Sequence, residues 1–284
     1  MRKVVDSNFL RTKELRDYLC ASRDNVAVVT DYAELEMVSA ETLEGVLKST
    51  EILAEFPRQV ILSKPTGVVS SLRGKKKGLK KRFTDGRRTR AFRKWCRIRE
   101  QIRRGEKPFN HERTRDEARA HLSELLDNIA TLKDDLEAHA SGHYTADELR
   151  IIRTRKPFTP ELTGKLIDGI MHFTLKFFEA GQRELPPSEE VPHTFIFRFA
   201  LCAYLHALHW IAAGGAKDRG IEKFRNDLVD VALVAYGTCF DRLLSSDQLA
   251  NDIHDNATFL LKNGFLAEKK KAKLKGAASN ISKR

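Results

Sequence analysis

Three short apolar runs near the start of the chain constrain its fold more than any other feature. Residues 3–5 lead into Asp6, residues 26–29 read Val-Ala-Val-Val, and residues 59–63 form a third run. Helical signals lie between them. Residues 12–21 put Leu15, Tyr18 and Leu19 on one face. Residues 32–38 follow Thr30, a residue type that caps helices, and residues 41–56 are closed by Pro57. Short strands alternating with helices predict an α/β unit built on a parallel sheet. The pattern returns near the other end. A helix is expected over 226–240, a strand over 242–245 running into Asp247, and a last helix around 250–262.

Between these ends the apolar period is helical. In residues 115–139, Leu122, Leu125, Leu126, Ile129, Leu132 and Leu136 recur at helical spacing. Thr145 and Glu148 form a capping-box pattern that opens a helix over 145–154. Thr159-Pro160 places proline in the first turn of a helix that runs to Gly181. A helix over 195–213 stops at Gly214-Gly215. Either a helical insertion interrupts one α/β domain, or two domains lie in series.

Charge is unevenly distributed. The chain carries 51 Lys and Arg against 39 Asp and Glu, a net +12. Residues 73–119 hold 20 against 6 and residues 268–284 hold 7 against 1, while the rest is mildly acidic. The internal block contains Lys75, Lys76, Lys77, Lys80, Lys81, Arg82, Arg87, Arg88, Arg90, Arg93, Lys94 and Arg97. Its Gly-rich first part is expected to be too charged to pack, and 89–104 is expected to form a basic helix carrying Phe92 and Trp95. Basic residues interleaved with aromatics suit a polyanion whose bases can stack, so nucleic acid is the expected partner. The basic tail over 268–284 is expected to add non-specific attraction.

Other chemistries find less support. Residues 195–213 are apolar but include Arg198, Tyr204, His206 and His209, which suits a buried helix rather than a membrane span. Cys20, Cys96, Cys202 and Cys239 make no CxxC pair, and the opening residues run directly into a strand pattern. Free thiols and a cytoplasmic location are therefore expected. Cys202, His206 and His209 share one helical face, yet one helix cannot close a zinc site. No phosphate-binding loop of the nucleotide-hydrolase type and no local Ser-His-Asp or Cys-His signature occurs.

The carboxylates point further. Asp6 and Asp247 each follow a strand, and sites in open α/β sheets form at the carboxyl ends of strands. Asp227 and Asp230 are three residues apart and share one face of a helix. Glu34 and Glu36 follow the second apolar run. Each acid alone has a structural reading, for example Asp247 as a helix cap. Four acids gathered together need cations, and oxygen-only ligation suits Mg²⁺ or Mn²⁺.

Val-Val-Asp-Ser-Asn-Phe-Leu at 4–10, Val-Thr-Asp-Tyr-Ala-Glu-Leu-Glu at 29–36, and Asn-Asp-Leu-Val-Asp with Phe-Asp-Arg-Leu-Leu-Ser-Ser-Asp near the end resemble PIN-domain nucleases. The resemblance covers about 1–70 and 221–265. It implies an α/β nuclease fold with a parallel sheet, cutting RNA with Mg²⁺ or Mn²⁺. By position Asp6 matches the family's first acid and Glu34 the second, with Glu36 as the alternative. Asp227 or Asp230 matches the third and Asp247 the fourth, while Asn8 would orient a water. The acids favour the insertion: a PIN-like domain from 1–72 and 221–267, a basic arm with helical insertion over 73–220, and a flexible tail over 268–284. The expected activity is metal-dependent endoribonuclease action, with a toxin or defence role and an inhibitory partner protein as further expectations. The alternatives are a non-catalytic nucleic-acid-binding protein on a nuclease-like scaffold and a structure-specific DNA nuclease.

Overall fold

The computed structural model describes residues 1–124, 142–154, 156–212 and 221–265. Strands β1 (Arg2–Val5), β2 (Val26–Val29) and β3 (Val60–Ser63) are parallel neighbours, and β4 (Thr84–Asp85) pairs antiparallel with β3. β5 (Arg242–Leu244) joins on the far side of β1, parallel to it, with Val4 opposite Leu243. The order is therefore β4-β3-β2-β1-β5. The apolar runs supply the centre: Val4, Val5, Ala27, Val28, Val29, Val60 and Leu62 are all buried. Strands buried on both faces read as continuous apolar runs rather than as alternation. That is why these segments stand out in the sequence.

Helices start where side-chain oxygens can take up unpaired backbone N–H groups. Thr12 caps α1 (Lys13–Ala21) and Thr30 caps α2 (Asp31–Val38). The expected single helix over 41–56 is instead two, α3 (Leu43–Ser49) and α4 (Glu51–Glu55). The break is at Thr50, whose hydroxyl bonds back to the Val46 carbonyl at 2.8 Å and the Leu47 carbonyl at 3.2 Å. Such back-bonding offers the helix a local alternative.

The basic block departs most from expectation, because its first part packs. After the short helix α5 (Thr66–Ser70), Gly74 lies where a Cβ would run into the Glu190 carbonyl, so the backbone there is held tightly. Leu79 and Phe83 of α6 (Leu79–Phe83) are buried, Phe83 among Phe195, Tyr236 and Phe240. The chain then enters the sheet as β4 and continues into α7 (Gly86–Arg103), the expected basic helix. Asp85 caps α7 by accepting from the N–H groups of Arg87 and Arg88, both at 2.9 Å. The sheet thus extends past residue 72 and uses residues of the basic segment.

The helical region continues with α8 (His111–Glu124), α9 (Ala146–Arg153), α10 (Pro160–Ala180), α11 (Phe195–Ala212), α12 (Ile221–Cys239) and α13 (Gln248–Leu260). The capping box at Thr145 and Glu148 and the proline start at Pro160 are both present. Most of the expected helix over 115–139, and the basic tail, lie outside the described residues. α11 is long and apolar enough to cross a membrane by length and composition, but 83% of that window is buried inside the fold. Its Arg198 donates to the carbonyls of Pro192 and Thr238. Gly169 on α10 faces the Tyr204 ring, where any Cβ would collide, so glycine lets the two helices meet. One hydrophobic core runs unbroken from Val4 and Val28 in the sheet to Phe173, Leu205 and Leu233 in the helices.

Candidate acidic site at the strand ends

The chain order of the sheet locates a crevice. Strands β1, β2 and β3 are laid down in one direction, and β5 then returns to the opposite side of β1. Ligand sites in open α/β sheets form at the carboxyl ends of strands at such a reversal. Here that point lies between the ends of β1 and β5, where Asp6 and the Ser245–Asp247 turn stand.

The turn is stitched to Asp6. The Asp6 N–H donates to the Leu244 carbonyl at 2.9 Å, which continues the β1–β5 ladder. The Ser245 hydroxyl donates to Asp6 Oδ2 at 2.6 Å and accepts from the Asp247 N–H at 3.0 Å. Asn8 Oδ1 accepts from the Ser246 N–H at 3.1 Å, so Asn8 ties the two strand ends together. Asp247 Oδ1 accepts from the Ala250 N–H at 3.1 Å, capping α13.

The electrostatics show which acids share this crevice. Asp6 is buried, and burial pushes its carboxyl above the ordinary range; hydrogen bonds from Ser245, Ser7 and Asn8 oppose this, and Asp247 adds to it. Glu36 is raised first by burial and then by the charge of Asp6, against a hydrogen bond with Ser7. Asp230 on α12 is pushed up to about 7, first by burial and then by Asp6, Glu36, Asp247 and Asp227. Asp230 thus lies within the field of Asp6, Glu36 and Asp247, and Asp227, one turn before it, adds to that field.

Glu34 faces elsewhere. It pairs with Arg88, which also donates to the Ser63 carbonyl at 2.9 Å. Burial raises Glu34 in spite of Arg88. The physical reason is helical rotation. Two residues along an α-helix turn through more than half a circle at 3.6 residues per turn. Glu34 and Glu36 therefore sit on different sides of α2, and Glu36 is the one beside Asp6. Asp31 stands on the Glu34 side. It accepts from Thr66 N–H at 2.6 Å and from Thr66 Oγ1 at 2.9 Å, and burial raises its carboxyl. Thr66 Oγ1 lies 3.1 Å from the Tyr236 hydroxyl. This second polar group was not anticipated from sequence, although Asp31 lies two residues past the end of β2, a position similar to that of Asp6.

The donors fit a hard divalent cation in chemistry: they are carboxylates, and burial first, then the charges of the neighbouring acids, push Asp230 up to about 7. Among the described residues no group of three or more His, Cys, Asp or Glu could hold a metal ion as it stands. Cys202, His206 and His209 are buried in α11, where the His206 ring packs edge-on against Trp210 with centroids 4.6 Å apart.

The basic residues divide into two sets. Lys80 pairs with Asp241, and Arg82 donates to the carbonyls of Arg73, Lys75 and Lys77. Arg88 holds Glu34, and Arg93 donates to the Pro57 carbonyl at 3.0 Å. These four serve the fold. Lys75, Lys76, Lys77, Lys81, Arg87, Arg90, Lys94 and Arg97 are exposed. No family model, curated protein or solved structure matches this chain.

Proposed function

We propose that this protein is a metal-dependent endoribonuclease of PIN type. The observation that carries the reading is Asp230 at about 7, driven up by burial and by Asp6, Glu36, Asp247 and Asp227 at the switch point of a mostly parallel sheet. Burying like charges together is unfavourable unless something neutralises them. A divalent Mg²⁺ or Mn²⁺ held by Asp6, Glu36, Asp230 and Asp247 would supply that neutralisation and the activation of water for attack on a phosphodiester. The protein's own part is positioning. Ser245 and Ser7 orient Asp6 and Glu36, Asn8 fixes the gap between β1 and β5, and the exposed lysines and arginines of the basic segment hold the RNA backbone. The test is cleavage of labelled RNA with Mn²⁺ or with EDTA. Cutting that needs metal and vanishes in Asp6→Asn, while RNA binding persists, supports the reading. Absence of cutting under every divalent ion refutes it.

A second reading, a nucleic-acid-binding protein on a nuclease-like scaffold, is favoured because, among the described residues, no group of three or more acids could hold a metal ion as it stands. It predicts identical RNA binding in EDTA and Mn²⁺ with no product. A structure-specific DNA nuclease would be revealed in the same assay by branched DNA outcompeting RNA.

A further inference from the structure

On the other side of α2 from Glu36 lies a cavity of about 230 Å³. Its walls are Met37 and Val38 of α2, Val46 of α3, Phe92 and Trp95 of α7, and Phe109 before α8. The Phe92 and Trp95 rings lie nearly parallel, 23° apart in plane with centroids separated by 6.1 Å. One polar wall breaks the apolar lining: Glu34 and Arg88, paired with each other, with Thr50 and Thr114 nearby. A second cleft, of about 330 Å³, opens beside Glu36 and is lined by Ser7, Asn8, Arg11 and Ser49. Met37 lines both spaces, so the cavity adjoins the acidic site.

We propose that this cavity binds one unpaired base of a single-stranded RNA next to the phosphate presented to the acids. The proposal rests on the nuclease reading for that phosphate, and three observations select the occupant. The cavity is small, below the ~300 Å³ at which pockets for drug-sized ligands begin. It is lined by flat aromatic rings, which attract any base through its π-face. Its polar wall offers a guanidinium and a carboxylate, which suit the donor and acceptor edges of a base. Exposed Arg87 and Lys94 lie about a quarter-turn from Trp95 on the same helix and supply charge for the flanking phosphates, while Arg90 and Arg97 lie on its far side. An apolar peptide side chain would gain nothing from those cations, and paired RNA could not offer a base.

Trp95 reports on its own pocket. The chain has two tryptophans, and Trp210 is 5% exposed, so Trp95 is the accessible one. The experiment titrates a short single-stranded RNA, and the same strand with abasic sites, into the full chain in EDTA. Intrinsic fluorescence and filter binding are read together. Saturable quenching by the base-bearing strand is expected, with at least tenfold weaker binding and no quenching for the abasic strand. Phe92→Ala should reduce the discrimination to near unity, and Trp210→Phe should keep the quenching. Filter binding by the unaltered protein needs no variant, so misfolding of either variant leaves the test intact. Equal binding of both strands, or binding of neither, overturns the proposal. Metal-dependent cutting is measured in parallel. Cutting with equal binding refutes the pocket alone, whereas base-selective binding without cutting refutes the nuclease reading alone.

Discussion

Asp230→Asn should make the metal-free protein more stable at pH 8 and should abolish cleavage. Asp230 moves from an ordinary 3.8 to about 7 on folding, a rise of roughly three units. At about 1.36 kcal/mol per unit, ionising this group in the folded state costs on the order of 4 kcal/mol relative to the unfolded chain. The sign follows from proton uptake. Between pH 4 and 7 the folded protein holds a proton that the unfolded chain has released, so stability rises as pH falls through 7. From pH 8 to pH 5 this single group should contribute about 2.5 kcal/mol. With a urea slope of ~2–3 kcal/mol/M, the midpoint of the unaltered protein should rise by about 1 M. Asp230→Asn has no charge to remove. Its midpoint in EDTA at pH 8 should exceed that of the unaltered protein, and the gap should shrink toward pH 5. Added Mn²⁺ should close the gap from the other side by stabilising only the unaltered protein. A variant that is equally stable or weaker at pH 8, or a difference indifferent to pH, would show that folding does not raise the Asp230 carboxyl and would refute the reasoning.

Three further perturbations separate fold from binding. Arg88→Ala leaves Glu34 half-buried without its partner and should lower stability by ~2–3 kcal/mol in urea, with the double variant Arg88→Ala, Glu34→Gln recovering part of the loss. Phe83→Ala empties a fully buried ring site in the basic segment and should lower stability by ~3–5 kcal/mol, an outcome that a loose arm would not produce. Replacing exposed Lys75, Lys76 and Lys77 together by serine should leave the unfolding free energy measured in urea within ~0.5 kcal/mol of the original. The same change should reduce the salt dependence of RNA binding by about 2 in log–log slope, measured by filter binding between low and moderate salt.

The sheet was readable because its strands are buried on both faces and so appear as apolar runs; β1, β2, β3 and β5 all fall within a residue or two of where the runs lie. Helix starts were readable at Thr12, Thr30, Thr145 and Thr159 because capping is local chemistry. β4 was not readable. Two residues, Thr84 and Asp85, carry no periodicity, and their pairing with Ser63 and Leu62 depends on where the chain returns. The packing of 73–85 was hidden for a similar reason. Two buried side chains, Leu79 and Phe83, anchor a segment whose composition is otherwise that of a solvated run. Among the acids, position after a strand was enough to place Asp6 and Asp247 at the same end of the sheet. That Asp230, with Asp227 one turn before it on the same face, comes within reach of Asp6, Glu36 and Asp247 is a tertiary fact that local spacing does not contain.

The placement of Glu34 and Glu36 is of the same kind, and it says how the candidate site is divided. Both acids are raised by burial, but Glu36 feels Asp6 while Glu34 feels Arg88. Helix α2 therefore separates two chemically different spaces. One holds carboxylates that repel one another, suited to a cation. The other holds an ion pair and aromatic rings, suited to a neutral planar group. A helix with its side chains is only about 10 Å across, and Met37 reaches into both spaces. An RNA strand crossing α2 could then place a phosphate on one side and its neighbouring base on the other. Neutralising Glu34 would leave the field at Asp6 and Asp230 unchanged, whereas neutralising Glu36 would alter it. Glu36→Gln should thus abolish metal-dependent cutting and leave base discrimination intact, while Phe92→Ala should do the reverse. If both variants impaired both readouts equally, α2 would not be a divider and the two spaces would have to be treated as one.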